Sequence, residues 1–228
     1  MPHERFFLNA LFEPHASFNL TESEFHHLVN VSRCRTQDTI ELVNGKGQLG
    51  VAIIDKIEKK QALVIVDSLF EEPPVKQKII LAQAYPRAGR LDTILEKTTE
   101  LGVTDIWLFS GEKSERKEAS SSRIESILIS AMKQSGRLYL PNIHQAPLIQ
   151  QWKTLPCTTY FGDFAEGLPS LRELDVGKED VMIVIGPESG LTEKEVTALK
   201  SLGAKGVSLS KNILRTDTAA IIAVGYLA

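Results

Sequence analysis

The sequence predicts an α/β protein in two parts, a small β-rich domain followed by a parallel-sheet domain with helices on both faces. Three observations carry that reading. Residues 1–72 hold strand-like alternation with one short helical pattern. Glu71-Glu72-Pro73-Pro74 then interrupts it, because consecutive prolines cannot continue a sheet. From Lys78 onward apolar strand runs alternate with helical segments, as in a parallel sheet covered on both sides. The domains are therefore read as 1–72 and 73–228.

In the first part, Thr21-Glu22-Ser23-Glu24 is a capping-box sequence opening a short helix, with Phe25, Leu28 and Val29 on its apolar side. Strands are expected over Thr39–Val43, Gln48–Ile57 and Gln61–Leu69, the first two joined by a turn at Asn44-Gly45-Lys46-Gly47. In the second part, strands are expected at Ile79–Ala84, Asp105–Phe109, Thr158–Phe161 and Val181–Ile185, with a short one at Gly206-Val207-Ser208. Helices are expected over Leu91–Leu101, stopped by Gly102, and over Ser122–Ser135, stopped by Gly136. Two more cover Glu193–Leu202 and Thr218–Leu227. No internal repeat or low-complexity tract is present.

Composition narrows the function classes. The apolar fraction of 43% and charged fraction of 24% are those of an ordinary globular chain. No apolar run approaches the ~20 residues of a membrane span, and the N-terminus lacks a signal-peptide pattern, so a cytoplasmic protein without membrane contact is expected. Cys34 and Cys157 match no metal-ligand spacing and read as reduced thiols; His26 and His27 have no partners completing a metal site, and no metal is expected. The net charge of −3 argues against bulk affinity for nucleic acid but leaves room for a local basic patch.

Two loops carry the chemistry. Ile185-Gly186-Pro187-Glu188-Ser189-Gly190-Leu191 links a strand to the helix start Thr192-Glu193-Lys194-Glu195. Leu209-Ser210-Lys211-Asn212-Ile213-Leu214-Arg215-Thr216-Asp217-Thr218-Ala219 opens the last helix, with Thr216 as its expected N-cap. Two such loops meet at one edge of a parallel sheet, where open α/β sheets bind ligands. The dinucleotide fingerprint and the Walker pattern are both absent, which argues against a phosphate cradle and a nicotinamide enzyme. Arg215 gains nothing from the helix dipole, so it either pairs with Glu188 or Asp217 or faces a ligand. Lys113, Arg116, Lys117, Arg123, Lys133 and Arg137 stand against three acids between positions 113 and 137, reading as a solvated helix face or an RNA contact.

Four ordered segments resemble a known family. Lys97-Thr98-Thr99-Glu100-Leu101-Gly102-Val103, Gln134-Ser135-Gly136-Arg137, Ile185–Leu191 and Leu209–Ala219 are similar to motifs of the bacterial methyltransferases that modify N3 of a uridine in 16S ribosomal RNA. The chain departs from the family pattern at Ser189, Ser210, Lys211, Asn212 and Asp217. The resemblance implies a SPOUT-type, trefoil-knotted parallel-sheet domain behind a PUA-like RNA-binding barrel. It implies a homodimer acting on 16S rRNA or the small ribosomal subunit, with S-adenosylmethionine as cofactor. Ile185, Gly186, Pro187, Glu188, Gly190, Leu209, Ser210, Ile213, Leu214, Thr216 and Ala219 are then the expected cofactor-binding residues. Lys113, Arg116, Lys117 and Arg123 are expected to hold RNA. Methylating an imide nitrogen requires loss of its proton and stabilisation of the anion. Arg215, then Arg137, are the candidate cations, and Glu188 or Asp217 the candidate base. The alternatives are a knotted methyltransferase with another RNA target and a non-catalytic RNA-binding or ribosome-assembly protein.

Overall fold

The structure, a computed structural model, describes residues 4–87, 89–115 and 119–228. It forms two compact units. One comprises the chain up to Pro74 together with Met132–Leu140; the other comprises Val75–Ala131 and Pro141–Ala228. A single cut in the sequence does not express the second piece of the first unit.

The first unit is built on a curled five-stranded sheet: β1 (Arg5–Phe7), β2 (Ser17–Thr21), β3 (Thr39–Val43), β4 (Gln48–Ile57) and β5 (Gln61–Glu71), in the order β1-β3-β4-β5-β2. Burial alternates along β4 and β5, as a half-buried sheet requires. Register shifts at Val51/Ala52 and Ile54/Lys56 bend the β4–β5 pair. Phe6, Phe12, Leu20, Leu28, Ile40, Leu42 and Ile54 fill the core. The turn after β3 depends on two positive φ angles, 71° at Gly45 and 96° at Gly47. The Asn44 carboxamide oxygen closes it by accepting from the Lys46 N–H at 2.8 Å and the Gln48 N–H at 3.1 Å. Residues 132–140 belong here for a local reason. Gly47 N–H donates to the Leu138 carbonyl, Leu140 N–H donates to the Gly45 carbonyl, and Met132 and Leu138 pack with Val43.

The expected capping box at the first helix is not formed. Helix α1 (Glu22–His26) starts after Thr21 with no side-chain cap, and Glu22 has φ +49°. The Glu24 carboxylate is engaged elsewhere, accepting from Phe7 N–H at 3.1 Å and Lys133 Nζ at 2.7 Å. The chain continues as a π-helical turn over His27–Val31, which buries Leu28.

The second unit holds a six-stranded, wholly parallel sheet. Its strands are β6 (Ile79–Ala84), β7 (Asp105–Phe109), β8 (Asn142–Ala146), β9 (Thr158–Gly162), β10 (Val181–Ile185) and β11 (Lys205–Val207), in the order β11-β9-β10-β6-β7-β8. The central β6 and β10 are buried at every position, which explains their unbroken apolar runs. Around the sheet lie α2 (Arg90–Glu100), α3 (Ser121–Ser135), α4 (Glu193–Ser201) and α5 (Thr216–Leu227). Gly102 (φ 100°) and Gly136 (φ 84°) end α2 and α3 in the left-handed region. The capping box at α4 is complete: Thr192 Oγ1 accepts from Glu195 N–H, and the Glu195 carboxylate accepts from Thr192 N–H.

After the edge strand β11 the chain returns to the middle of the sheet, where α5 contacts α2, β6 and β10. Among the described residues no helix is long and apolar enough to cross a membrane. Replacing the fully buried Phe109, which packs edge-on against Trp152, with alanine should lower unfolding free energy by about 3–5 kcal/mol, read from the urea midpoint.

Candidate active site

Three loops leave the C-terminal ends of neighbouring strands and enclose a cavity of about 290 Å3. Gly162-Asp163-Phe164 follows β9, Ile185 to Leu191 follows β10, and residues 209–214 run from β11 towards α5. All eleven residues expected to bind a cofactor line this one cavity. The sequence reading missed the β9 loop, although a strand ending in Gly-Asp beside the other two was its available signal. It also missed Leu191 and Val196, which complete an apolar wall with Ile185, Leu209 and Leu214.

The loop after β10 needs its first glycine for space. A Cβ on Gly186 would lie 2.8 Å from the Leu191 nitrogen and 2.9 Å from the Gly190 carbonyl carbon, both backbone atoms. Gly190 supplies φ 72° and closes the turn through its N–H to the Pro187 carbonyl at 2.8 Å. Lys113 Nζ reaches the Ser189 carbonyl at 3.4 Å. In the loop before α5, Ser210 accepts through Oγ from the Asn212 N–H and through its carbonyl from the Ser208 hydroxyl, so the serine that departs from the family pattern at 210 closes a local turn.

Thr216 is not the N-cap of α5. That position is Arg215, and Thr216 is the first helical residue, buried. Its Oγ1 donates to the Gly186 carbonyl at 2.7 Å and accepts from Gln83 Nε2 at 3.1 Å. A third strand end is thereby tied to both loops.

Of the two readings left open for Arg215, the pairing with Glu188 or Asp217 is not formed, because Arg90 holds both carboxylates. Its Nε lies 3.2 Å from Glu188 Oε1 and its Nη1 lies 2.9 Å from Asp217 Oδ1. Glu188 Oε1 also accepts from the Arg87 N–H at 3.0 Å. Arg90 opens α2, whereas Glu188 and Asp217 sit on the two loop motifs, so distant segments are joined by one guanidinium. Arg215 is exposed, does not line the cavity, and has no ion-pair partner among the described residues.

The other candidates scatter. Arg137 belongs to the first unit and does not line the cavity. Burial pushes its guanidinium below the ordinary arginine value, opposed by Glu72. Arg123 is already bound to Asp92, which raises its pKa and offsets its charge. Arg116 and Lys117 lie outside the described residues. No cluster of three metal-ligating side chains occurs among the described residues. Burial pushes the Cys157 thiol up to about 11, so it is protonated near neutrality.

The cavity suits a nucleoside-bearing cofactor. Its wall is apolar, and the backbone N–H groups of Leu209, Ile213 and Leu214 have no protein partner among the described residues. Unsatisfied backbone donors beside an apolar surface are what the edge and face of a purine require.

Comparison with known proteins agrees with this geometry. A family profile described as RNA methyltransferase domain matches residues 72–228, and one described as RNA methyltransferase PUA domain matches residues 20–67. The chain is 28% identical over 233 residues to ribosomal RNA small subunit methyltransferase E of Rickettsia conorii, covering 100% of this chain and 96% of the relative. The enzyme of the same name from Neisseria gonorrhoeae, solved bound to S-adenosyl methionine, is similar with TM-score 0.89 and 28% identity over 99% of this chain and 96% of that one. A methyltransferase of Legionella pneumophila, solved with bound SAM, is similar with TM-score 0.90 and 26% identity over 100% of this chain and 97% of that one.

A Gly186→Ala substitution should displace the loop rather than merely crowd it, because its new methyl meets backbone. The expected cost is about 1–3 kcal/mol, seen as a lowered thermal midpoint.

Proposed function

This chain belongs to the RNA methyltransferase family, and from that premise we propose that it transfers the methyl group of S-adenosylmethionine to N3 of a uridine in 16S ribosomal RNA. The observation that carries the reading is the convergence of both loop motifs on one cavity. The names of its relatives support the ribosomal substrate, and the SAM-bound neighbours support the cofactor. The cofactor residues named from the sequence remain the assignment, with Gly162, Asp163 and Leu191 added to them.

S-adenosylmethionine, when bound, supplies an electrophilic sulfonium methyl. The protein must hold the uracil in line with it, and this positioning is worth much of the acceleration. The N3 proton must pass to a base, the role assigned to Glu188 or Asp217, and the negative charge left on the uracil then spreads over the flanking carbonyl oxygens. Arg215 carries an uncommitted positive charge beside the cavity-lining Leu214 and Thr216, and in this reading it stabilises that anion. Glu188 and Asp217 are held in place by Arg90, which gives them a positioning role first. Arg137 takes no part in this reading. Lys113, together with Arg116 and Lys117, is assigned to the RNA backbone.

A homodimer is part of the proposal. Leu101 and Tyr226 leave apolar surface exposed beyond α2 and on α5, which a second copy would cover. Action on ribosomal RNA, in this proposal, implies a cytoplasmic protein.

The test uses methyl-labelled S-adenosylmethionine with small ribosomal subunits that lack the modification, followed by nucleoside analysis. Label in 3-methyluridine is expected. Label in another nucleoside would move the target, and no label beside an active control enzyme would overturn the catalytic reading. In the same assay Arg215→Ala should lower turnover by about 100-fold or more while calorimetric affinity for the cofactor is retained. Unchanged turnover would remove Arg215 from the mechanism.

A further inference from the structure

We infer that Phe164 is the stacking platform for the base that is methylated, a role that rests on the RNA methyltransferase reading above. Phe164 lines the cavity yet is 63% exposed, so its ring stands at the rim. Single exposed apolar side chains are ordinary on a protein surface, so what marks Phe164 is its place on the cavity wall, shared among the exposed large apolar residues only with Ile213. The backbone that carries it is fastened. Asp163 N–H donates to the Val207 carbonyl at 3.0 Å, and Asp163 Oδ1 accepts from the Phe164 N–H at 2.7 Å. The aromatic face is thus presented from an anchored strand end.

The rim around it has the character of a nucleotide site. Lys211 and Arg215 are exposed, alternate with the lining residues Ser210, Asn212 and Leu214, and have no carboxylate partner among the described residues. The nearby acids Glu188 and Asp217 are committed to Arg90. An aromatic side chain on the wall of a cavity whose last loop carries two uncommitted cations suits a flat base of an anionic polymer. An RNA base must leave its stack to reach a methyl donor held inside a cavity. An aromatic face at the entrance replaces the lost stacking without demanding a particular base edge. The ring therefore captures the extruded uracil, and base identity is read deeper in the site.

Full-length Phe164→Ala and Phe164→Trp variants test this with four readouts. These are steady-state methylation of unmodified small subunits, cofactor affinity by calorimetry, sedimentation, and binding of a short RNA carrying a fluorescent base at the target position with S-adenosylhomocysteine present. Alanine should lower kcat/KM by about tenfold or more, the range for one lost base–aromatic stack, and abolish the fluorescence change. Cofactor affinity and sedimentation should stay as in the wild type, and tryptophan should restore both RNA readouts. Parallel loss of cofactor affinity would assign the ring to the cofactor instead. Altered sedimentation would make it a subunit contact, and unchanged RNA readouts would remove it from recognition. If the wild-type protein methylates no subunit RNA, the functional reading fails, while the fluorescent-RNA arm still decides the role of Phe164.

Discussion

The second unit depends on bringing the end of the chain back into the centre of its sheet. The edge strand β11 leads away from the middle, and α5 must recross to reach β6, β10 and α2. The buried link from Gln83 through Thr216 to the Gly186 carbonyl holds the crossing point. Polar groups taken out of water are costly unless paired, so the hydroxyl of Thr216 must sit where it both accepts and donates. Arg90 secures the same junction from α2, with one carboxylate from each loop. Because α5 lies between sheet and helix, it is apolar over most of its length, and its position is set by these few polar contacts.

The cavity is a consequence of that crossing. A parallel sheet places every strand's C-terminal end on one edge, and β9, β10 and β11 each release a loop there. Packing the last loop over the first two leaves an apolar slot with backbone donors along it. The site thus contains little committed reactive chemistry. Of the carboxylates lining it, Glu188 is bound by Arg90 and Asp163 accepts from the Phe164 N–H, and no metal cluster is formed among the described residues. Such an environment acts by positioning reactants and by charge placed at the rim, which suits a reaction whose electrophile is already activated.

The loop chain Glu112–Thr192–Glu195 extends this order outward. Glu195 is buried, caps its own helix, and accepts from the Glu112 N–H; Glu112 accepts from the Thr192 hydroxyl and the Gln150 carboxamide. The segment that begins the basic stretch is therefore fixed to the helix following the Gly186 loop, and Lys113 touches Ser189 within that loop. Contacts made by Lys113 are therefore mechanically close to the cavity.

Much of this was determined by sequence alone, and the reason is locality. The unbroken apolar runs of β6 and β10, the alternation in β4, and the glycine stops after α2 and α3 depend on near neighbours and on periodicity, so they are legible residue by residue. The two loop motifs were legible because glycine and proline specify backbone shape directly. What only the tertiary structure decided was the choice among partners. Thr21-Glu22-Ser23-Glu24 and Thr192-Glu193-Lys194-Glu195 spell the same capping motif, yet only the second forms the box, since Glu24 meets Phe7 and Lys133. The short strands β1, β2 and β8 lack a strong pattern of their own and exist through pairing with β3, β5 and β7. Arg90 rather than Arg215 holds the two carboxylates, because the fold sets a guanidinium at the start of α2, more than ninety positions away, within 3.2 Å of one and 2.9 Å of the other. Local propensity is written in the chain, but hydrogen-bond and ion-pair partners are assigned only when folding brings distant segments within reach.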